Sequence, residues 1–221
     1  MSLLTGVSLV SLTLAVALMV RWATNRVDAL GRARGLPVLA VSGLVIVALV
    51  AAVPGAKRRV EERRLDKIAS VLVGHRVDVH CQSTVAALVD GGAEAGYVWF
   101  NADGTPEPET LIKRDQCRLI EEYRKGKQAD PSLQHVMAVH VLTHEAMHMR
   151  GERDEAVTEC QAVQRDVFTA RALRATPEQA KRLAKTYWKL VYPRMPSGYV
   201  TSECHPGGPL DENLDSSPWV P

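Results

Sequence analysis

Two histidines, His144 and His148, stand four residues apart in the run HVLTHEAMH, and Glu145 directly follows the first. On an α-helix that spacing projects both imidazoles from one face, so they can share one metal ion. Glu145 then sits where it can take a proton from a water molecule, while the ion, acting as a Lewis acid, makes that water more acidic. Zinc suits the pair because it accepts nitrogen and oxygen ligands tetrahedrally, does no redox chemistry and in catalytic sites keeps one position open to water. Metal-assisted hydrolysis, with a peptide or protein as substrate, is the chemistry this implies.

A third protein ligand is required, and three acids compete for it: Asp154, Glu155 and Glu159. Asp154 follows Gly151 in H-E-x-x-H-x-x-G-x-x-D, the arrangement of metzincin-like peptidases, where the glycine lets the chain double back. Metzincins continue into irregular chain and a methionine turn, whereas residues 155 to 173 here read as one continuous helix. Asp154 therefore has the simpler role of capping that helix. Glu155 and Glu159 are four apart and can both face the motif helix once the chain reverses at Gly151. This resembles the gluzincin peptidases, and the resemblance implies that Glu155 binds metal and Glu159 orients His144. The gap from His148 to Glu155 is shorter than gluzincins usually show, and Glu159-Cys160-Gln161-Ala162 fits the E-x-x-A pattern of some relatives. Glu155 is favoured, with Glu159 and Asp154 kept as alternatives.

His140 precedes His144 by four residues, so it could line the cleft, act as an alternative ligand or simply be a satisfied core histidine. Tyr192, Tyr199 and His205 follow the motif segment and are candidates for the hydrogen-bond donor that stabilises an oxyanion. The stretch from HEAMH to DEAVTEC, with the closing YVTSECHPGGPLD, is similar to a group of membrane-attached actinobacterial proteins regarded as metallopeptidases. That resemblance covers the last two-thirds of the chain and implies a reaction class but no substrate. It also implies that Cys160 is joined to Cys204, fastening the tail beside the site, with Cys81 and Cys117 as the other pair.

The elements that must position these residues point to an α+β domain, a small sheet packed on a mainly helical, zincin-like unit. Three β-type runs, 76–81, 96–100 and 110–114, are separated by Gly, Asp and Pro. The strand 96–100 or 110–114 could present an edge to an extended peptide. A helix is expected near 115–125. Asp130-Pro131 reads as the start of the motif helix, and Thr176-Pro177-Glu178-Gln179 as a capping box opening a helix that runs to about residue 191. The tail from Pro193 is rich in Pro, Gly and Ser.

Ahead of this domain, residues 3–20 and 37–53 carry no charge. Each approaches the length that crosses a bilayer as a helix. Residues 1–56 thus read as a membrane anchor with spans at about 3–20 and 37–54, and 57–221 as the metallopeptidase domain. The loop between the spans carries Arg21, Arg26, Arg32 and Arg34 against Asp28, which favours a cytoplasmic loop and an extracytoplasmic domain at the cell membrane. The cluster from Lys57 to Lys67 pulls the other way. Four well-spaced cysteines without a C-x-x-C pair agree with two disulfides in an oxidising compartment. A formal net charge of +2 over 221 residues, with no basic block interleaved with aromatics, excludes nucleic acid as the main partner. The rival reading is a non-catalytic, disulfide-stapled interaction module whose metal is structural.

Overall fold

The computed structural model describes residues 3–27, 31–92 and 94–219, so Asp28 of the connecting loop lies outside the described residues. It forms two compact units, Met1–Val60 and Glu61–Pro221.

In the first unit, helix α1 covers Leu3–Thr24, and helix α2 begins at Val38. Both are long and apolar enough to cross a membrane; at 1.5 Å per residue α1 alone reaches ~33 Å, about the thickness of a hydrocarbon core. Small residues mark where the two helices meet. Ser11, Ala15, Ala48 and Ala51 are buried, and the Ser8 hydroxyl donates to the Ala48 carbonyl at 2.9 Å. Close approach through small side chains is how helices pack where no aqueous hydrophobic effect drives them. Helix α2 runs on past the second apolar stretch and is continuous over Val38–Val73 with Pro54 inside it, an interior proline costing one hydrogen bond that the long flanking helix tolerates.

The second unit holds the chemistry. Its sheet contains β1 (Asp78–Cys81), β2 (Gly96–Phe100) and β3 (Pro106–Ile112), with a short helix α3 (Thr84–Val89) between β1 and β2. Strand order is β1-β3-β2, β1 running parallel to β3 and β2 antiparallel to it. The third strand starts earlier and ends sooner than 110–114. Its extra residues include Pro106 and Pro108, which are tolerated because β1 pairs with β3 only from Glu109 onward, leaving that stretch unpaired on one side.

Helix α4 (Arg114–Glu122) passes through a wider turn into the loop before α5 (Leu133–Met149), the motif helix. Thirteen of the seventeen residues of α5 are buried, its four histidines and Glu145 among them, so the helix is enclosed on most of its circumference. Its cap is Ser132 rather than Asp130-Pro131: Ser132 Oγ accepts from His135 N while His135 Nδ1 accepts from Ser132 N. The histidine thus takes the place of the Glu or Gln of an ordinary capping box. Residues 155–173, read as one helix, are two: α6 (Glu155–Val163) and α7 (Asp166–Ala172). The break lies where the buried Gln164 reaches into the C-terminal tail, donating to Leu210 O and accepting from Glu212 N, each at 2.9 Å. Helix α8 (Pro177–Thr186) opens with the Thr176–Gln179 capping box and continues as a wider turn to Val191. Disulfides join Cys81 to Cys117 and Cys160 to Cys204.

Candidate metal centre

After α5, Gly151 takes φ +116°, a conformation that L side chains rarely adopt. The chain reverses there, and two consequences follow for the site. The Glu152 carbonyl comes back to 2.8 Å from His148 Nδ1, and α6 then lies against α5 with its acids facing the histidines.

A backbone carbonyl can only accept, so the neutral His148 ring carries its proton on Nδ1 and leaves the Nε2 lone pair free. The same logic holds for His144, whose Nδ1 lies 3.0 Å from Glu159 Oε2. Its Nε2 is then also a free lone pair. The two Nε2 atoms are 3.0 Å apart, and Glu155 Oε2 lies 3.2 Å from the first and 3.3 Å from the second. Neighbouring ligands around a tetrahedral zinc, with bonds of 2.0–2.1 Å, stand about 3.3 Å apart. Three electron-pair donors therefore converge with the spacing of one face of such a shell, and His144, His148 and Glu155 could hold a metal ion. Without a cation, protons must relieve the same crowding. Burial disfavours a charged His144, yet hydrogen bonds to Glu155 and Glu159 outweigh it and push the ring up to about 9. Hydrogen bonds from His144 and His148 hold Glu155 down at about 2.

Behind the histidines runs a buried polar chain. Glu159, 1% exposed, accepts at Oε2 from His144 and from His140 Nε2 at 3.0 Å, and at Oε1 from the Tyr187 hydroxyl at 2.5 Å. His140 Nδ1 in turn lies 2.8 Å from Asp166 Oδ2, and its ring stacks on Tyr187 with centroids 3.6 Å apart. His140, His144 and Glu159 also lie close enough together to be a second possible metal group. The neutral His144 ring turns its Nδ1 proton into this group, toward Glu159 Oε2, so the lone pair it offers an ion is the Nε2 one in the first group. Burial raises Glu159, but the coulombic pull of His140 and the two histidine hydrogen bonds outweigh it and keep the carboxyl well below the usual range.

Glu145 is buried on the same helix, and burial raises its carboxyl above the usual range. Its Oε2 is 3.5 Å from the Thr110 hydroxyl, a long contact that barely restrains it. The group faces a cleft of about 520 Å³ that is also lined by the histidines, Glu155, Tyr199 and the start of β2.

Other candidates fall elsewhere. Asp154 caps α6, its Oδ1 accepting from Ala156 N and Val157 N at 3.0 Å. The Tyr192 hydroxyl is taken up by the Thr201 backbone, and His205 is exposed with Nδ1 against Pro206 O. Of the three oxyanion candidates, Tyr199 alone lines the cleft, its ring 5.9 Å from that of His144. Sequence reasoning missed Asp166, Tyr187 and Gly96. Asp166 is 26 residues from His140 beyond a helix break that no Gly or Pro announces. No protein family, characterised protein or solved structure matches the chain.

Proposed function

We propose that the chain is a membrane-anchored, zinc-dependent peptidase of gluzincin-like design, with its hydrolytic domain outside the cytoplasm. The observation that carries this reading is the convergence of His144 Nε2, His148 Nε2 and Glu155 Oε2, whose protons are directed away by Glu159 and the Glu152 carbonyl. The donor set of two imidazoles and one carboxylate suits zinc better than magnesium or calcium, which favour all-oxygen shells. When bound, the ion supplies a Lewis acid that polarises the scissile carbonyl and acidifies water.

The protein supplies the proton traffic and the orientation. Glu145, raised by burial, is suited to accept a proton from the attacking water and to return it to the leaving amine. Burial and the nearby acids also raise Tyr199, which keeps its proton and can donate a hydrogen bond to the carbonyl oxygen as negative charge grows there.

A peptide substrate is favoured by the strand beside the site. The Lys113 N–H donates to Ala95 O, and the Thr110 hydroxyl donates to Tyr97 O, so the carbonyls of residues 95 and 97 face β3. By alternation Gly96 and Val98 turn their backbone groups to the free edge of β2, where an extended peptide can add as a further strand. Two disulfides and two apolar helices support an anchored protein in an oxidising compartment.

The test is Glu145→Gln in the zinc-loaded full chain. It is expected to retain zinc and lose peptide hydrolysis by at least ~100-fold. Normal cleavage by that variant contradicts the mechanism.

A further inference from the structure

Acids dominate the cleft, which Glu94, Glu145, Glu155 and Glu159 all line; among the described residues, Arg153 is its one side chain of permanent positive charge. The guanidinium has a seat. Its central carbon lies 5.4 Å from the centre of the Phe100 ring, and that ring stands edge-on to His148 at 6.1 Å. On another side is Gly104, where a Cβ would come within 3.1 Å of Arg153 Nη1. Gly104 takes φ +86° in the turn joining β2 to β3, so the turn admits the guanidinium without a side chain in the way.

What the guanidinium lacks is a carboxylate. Three acids adjoin it in sequence, and each is engaged elsewhere. Glu152 Oε1 accepts from the backbone N–H groups of Arg153 and Asp154, Asp154 caps α6, and Glu155 faces the two histidines. Among the described residues no ion pair reaches Arg153, whose side chain lies over the Phe100 ring. A guanidinium held over an aromatic ring by its charge uses none of its N–H donors there, and those forked donors can receive a carboxylate through two parallel hydrogen bonds.

We propose that Arg153 is a substrate-carboxylate site on the His148 side of the cleft, and that the peptides bound there carry either a free C-terminus or an acidic side chain. This rests on the peptidase reading for the rest of the substrate. A peptide backbone along β2 would then run toward a carboxylate held at the Phe100 end of the strand.

The experiment uses the full chain in detergent, loaded with zinc and carrying Glu145→Gln so that ligands are not consumed. Three N-terminally fluorescent peptides of one apolar sequence are compared by anisotropy: one with a free C-terminus, one amidated, and one amidated with a single internal glutamate. Binding of the first or the third is expected to be about tenfold tighter than that of the amidated, acid-free peptide. Which of the two gains identifies the terminal or the side-chain carboxylate. Arg153→Gln in the same background is expected to erase the difference. Equal binding of all three peptides, or a preference that survives Arg153→Gln, overturns the proposal. Hydrolysis of the same peptides by the chain with Glu145 intact is read in parallel. Cleavage without carboxylate preference sinks the Arg153 site alone, carboxylate-dependent binding without cleavage sinks the peptidase reading alone, and neither binding nor cleavage sinks both.

Discussion

Gly96 lies so close to Glu145 that a Cβ placed on the glycine meets the carboxylate at 2.7 Å from Oε1 and 2.9 Å from Cδ. The first residue of β2 thus sets how near the sheet edge comes to the motif helix. Gly96→Ala is expected to push the Glu145 carboxylate aside while leaving the histidines in place. Zinc content stays at the wild-type level and kcat for peptide hydrolysis falls about 100-fold, the cost of a displacement near 1 Å at a reacting group. Steady-state kinetics beside metal analysis check this. Unchanged kcat in the alanine variant counts against Glu145 acting from its present position.

Zinc affinity is expected to climb with pH well past the ordinary histidine range. In the metal-free protein His144 is raised to about 9 from 6.5, so a proton competes with the ion for Nε2 over that whole interval. Binding must release it. The apparent affinity increases from pH 6 toward 9, and hydrolysis, which also needs ionised Glu145, falls on the acid side. Zinc titrations in buffers of different ionisation enthalpy count the released protons; an affinity already flat above pH 7 contradicts the raised value.

Removal of His140 should be felt at the metal although it is not one of the three converging donors. His140→Ala leaves Glu159 buried with one partner fewer, which is expected to cost about 3–5 kcal/mol of stability and ~10- to 100-fold in zinc affinity, because Glu159 orients His144. Burial opposes charge on His140, yet Asp166 and Glu159 lift the ring to about 10 from an ordinary 6.5. A raised cationic group contributes stability that is complete below its unfolded value and lost as pH rises through the folded one. Wild type should therefore lose this contribution between about pH 6.5 and 10, and the variant should keep only the shallower slope that the raised His144 contributes up to about 9. Chemical denaturation across this range, with zinc removed, reads both effects.

Much of the site was legible because it is local. His144, Glu145, His148, Glu155 and Glu159 fall within sixteen residues, and helical spacing with one reversal at Gly151 brings them together. The Asp154 cap and the Thr176 box were legible for the same reason. The rest depends on distant chain. Ser132 and His135 form a cap with no acidic residue to signal it, and α6 ends at Gln164 because the tail, some 46 residues on, draws that side chain out. Asp166 and Tyr187 reach the site only through that packing, and Gly96 matters only once the sheet edge meets Glu145.

The Cys160–Cys204 disulfide closes a loop of 44 residues beside Glu159, and Cys81–Cys117 one of 36. By chain entropy each is worth up to about 4 kcal/mol. Replacing Cys160 and Cys204 by serine is expected to lower the thermal midpoint of the domain markedly, and mild reductant should do the same to wild type. A midpoint unaffected by reductant under conditions that free all four thiols speaks against the crosslinks as stabilising elements.

The direct test of the converging donors is zinc K-edge absorption on the full chain after a stoichiometric zinc titration, for wild type and for His148→Ala. The expected result is one tightly bound zinc per chain, with a shell of two imidazoles and light oxygen or nitrogen donors at about 2.0 Å, lost in the variant. A chain that takes up no zinc at neutral pH, or a shell unaltered by His148→Ala, contradicts the assignment.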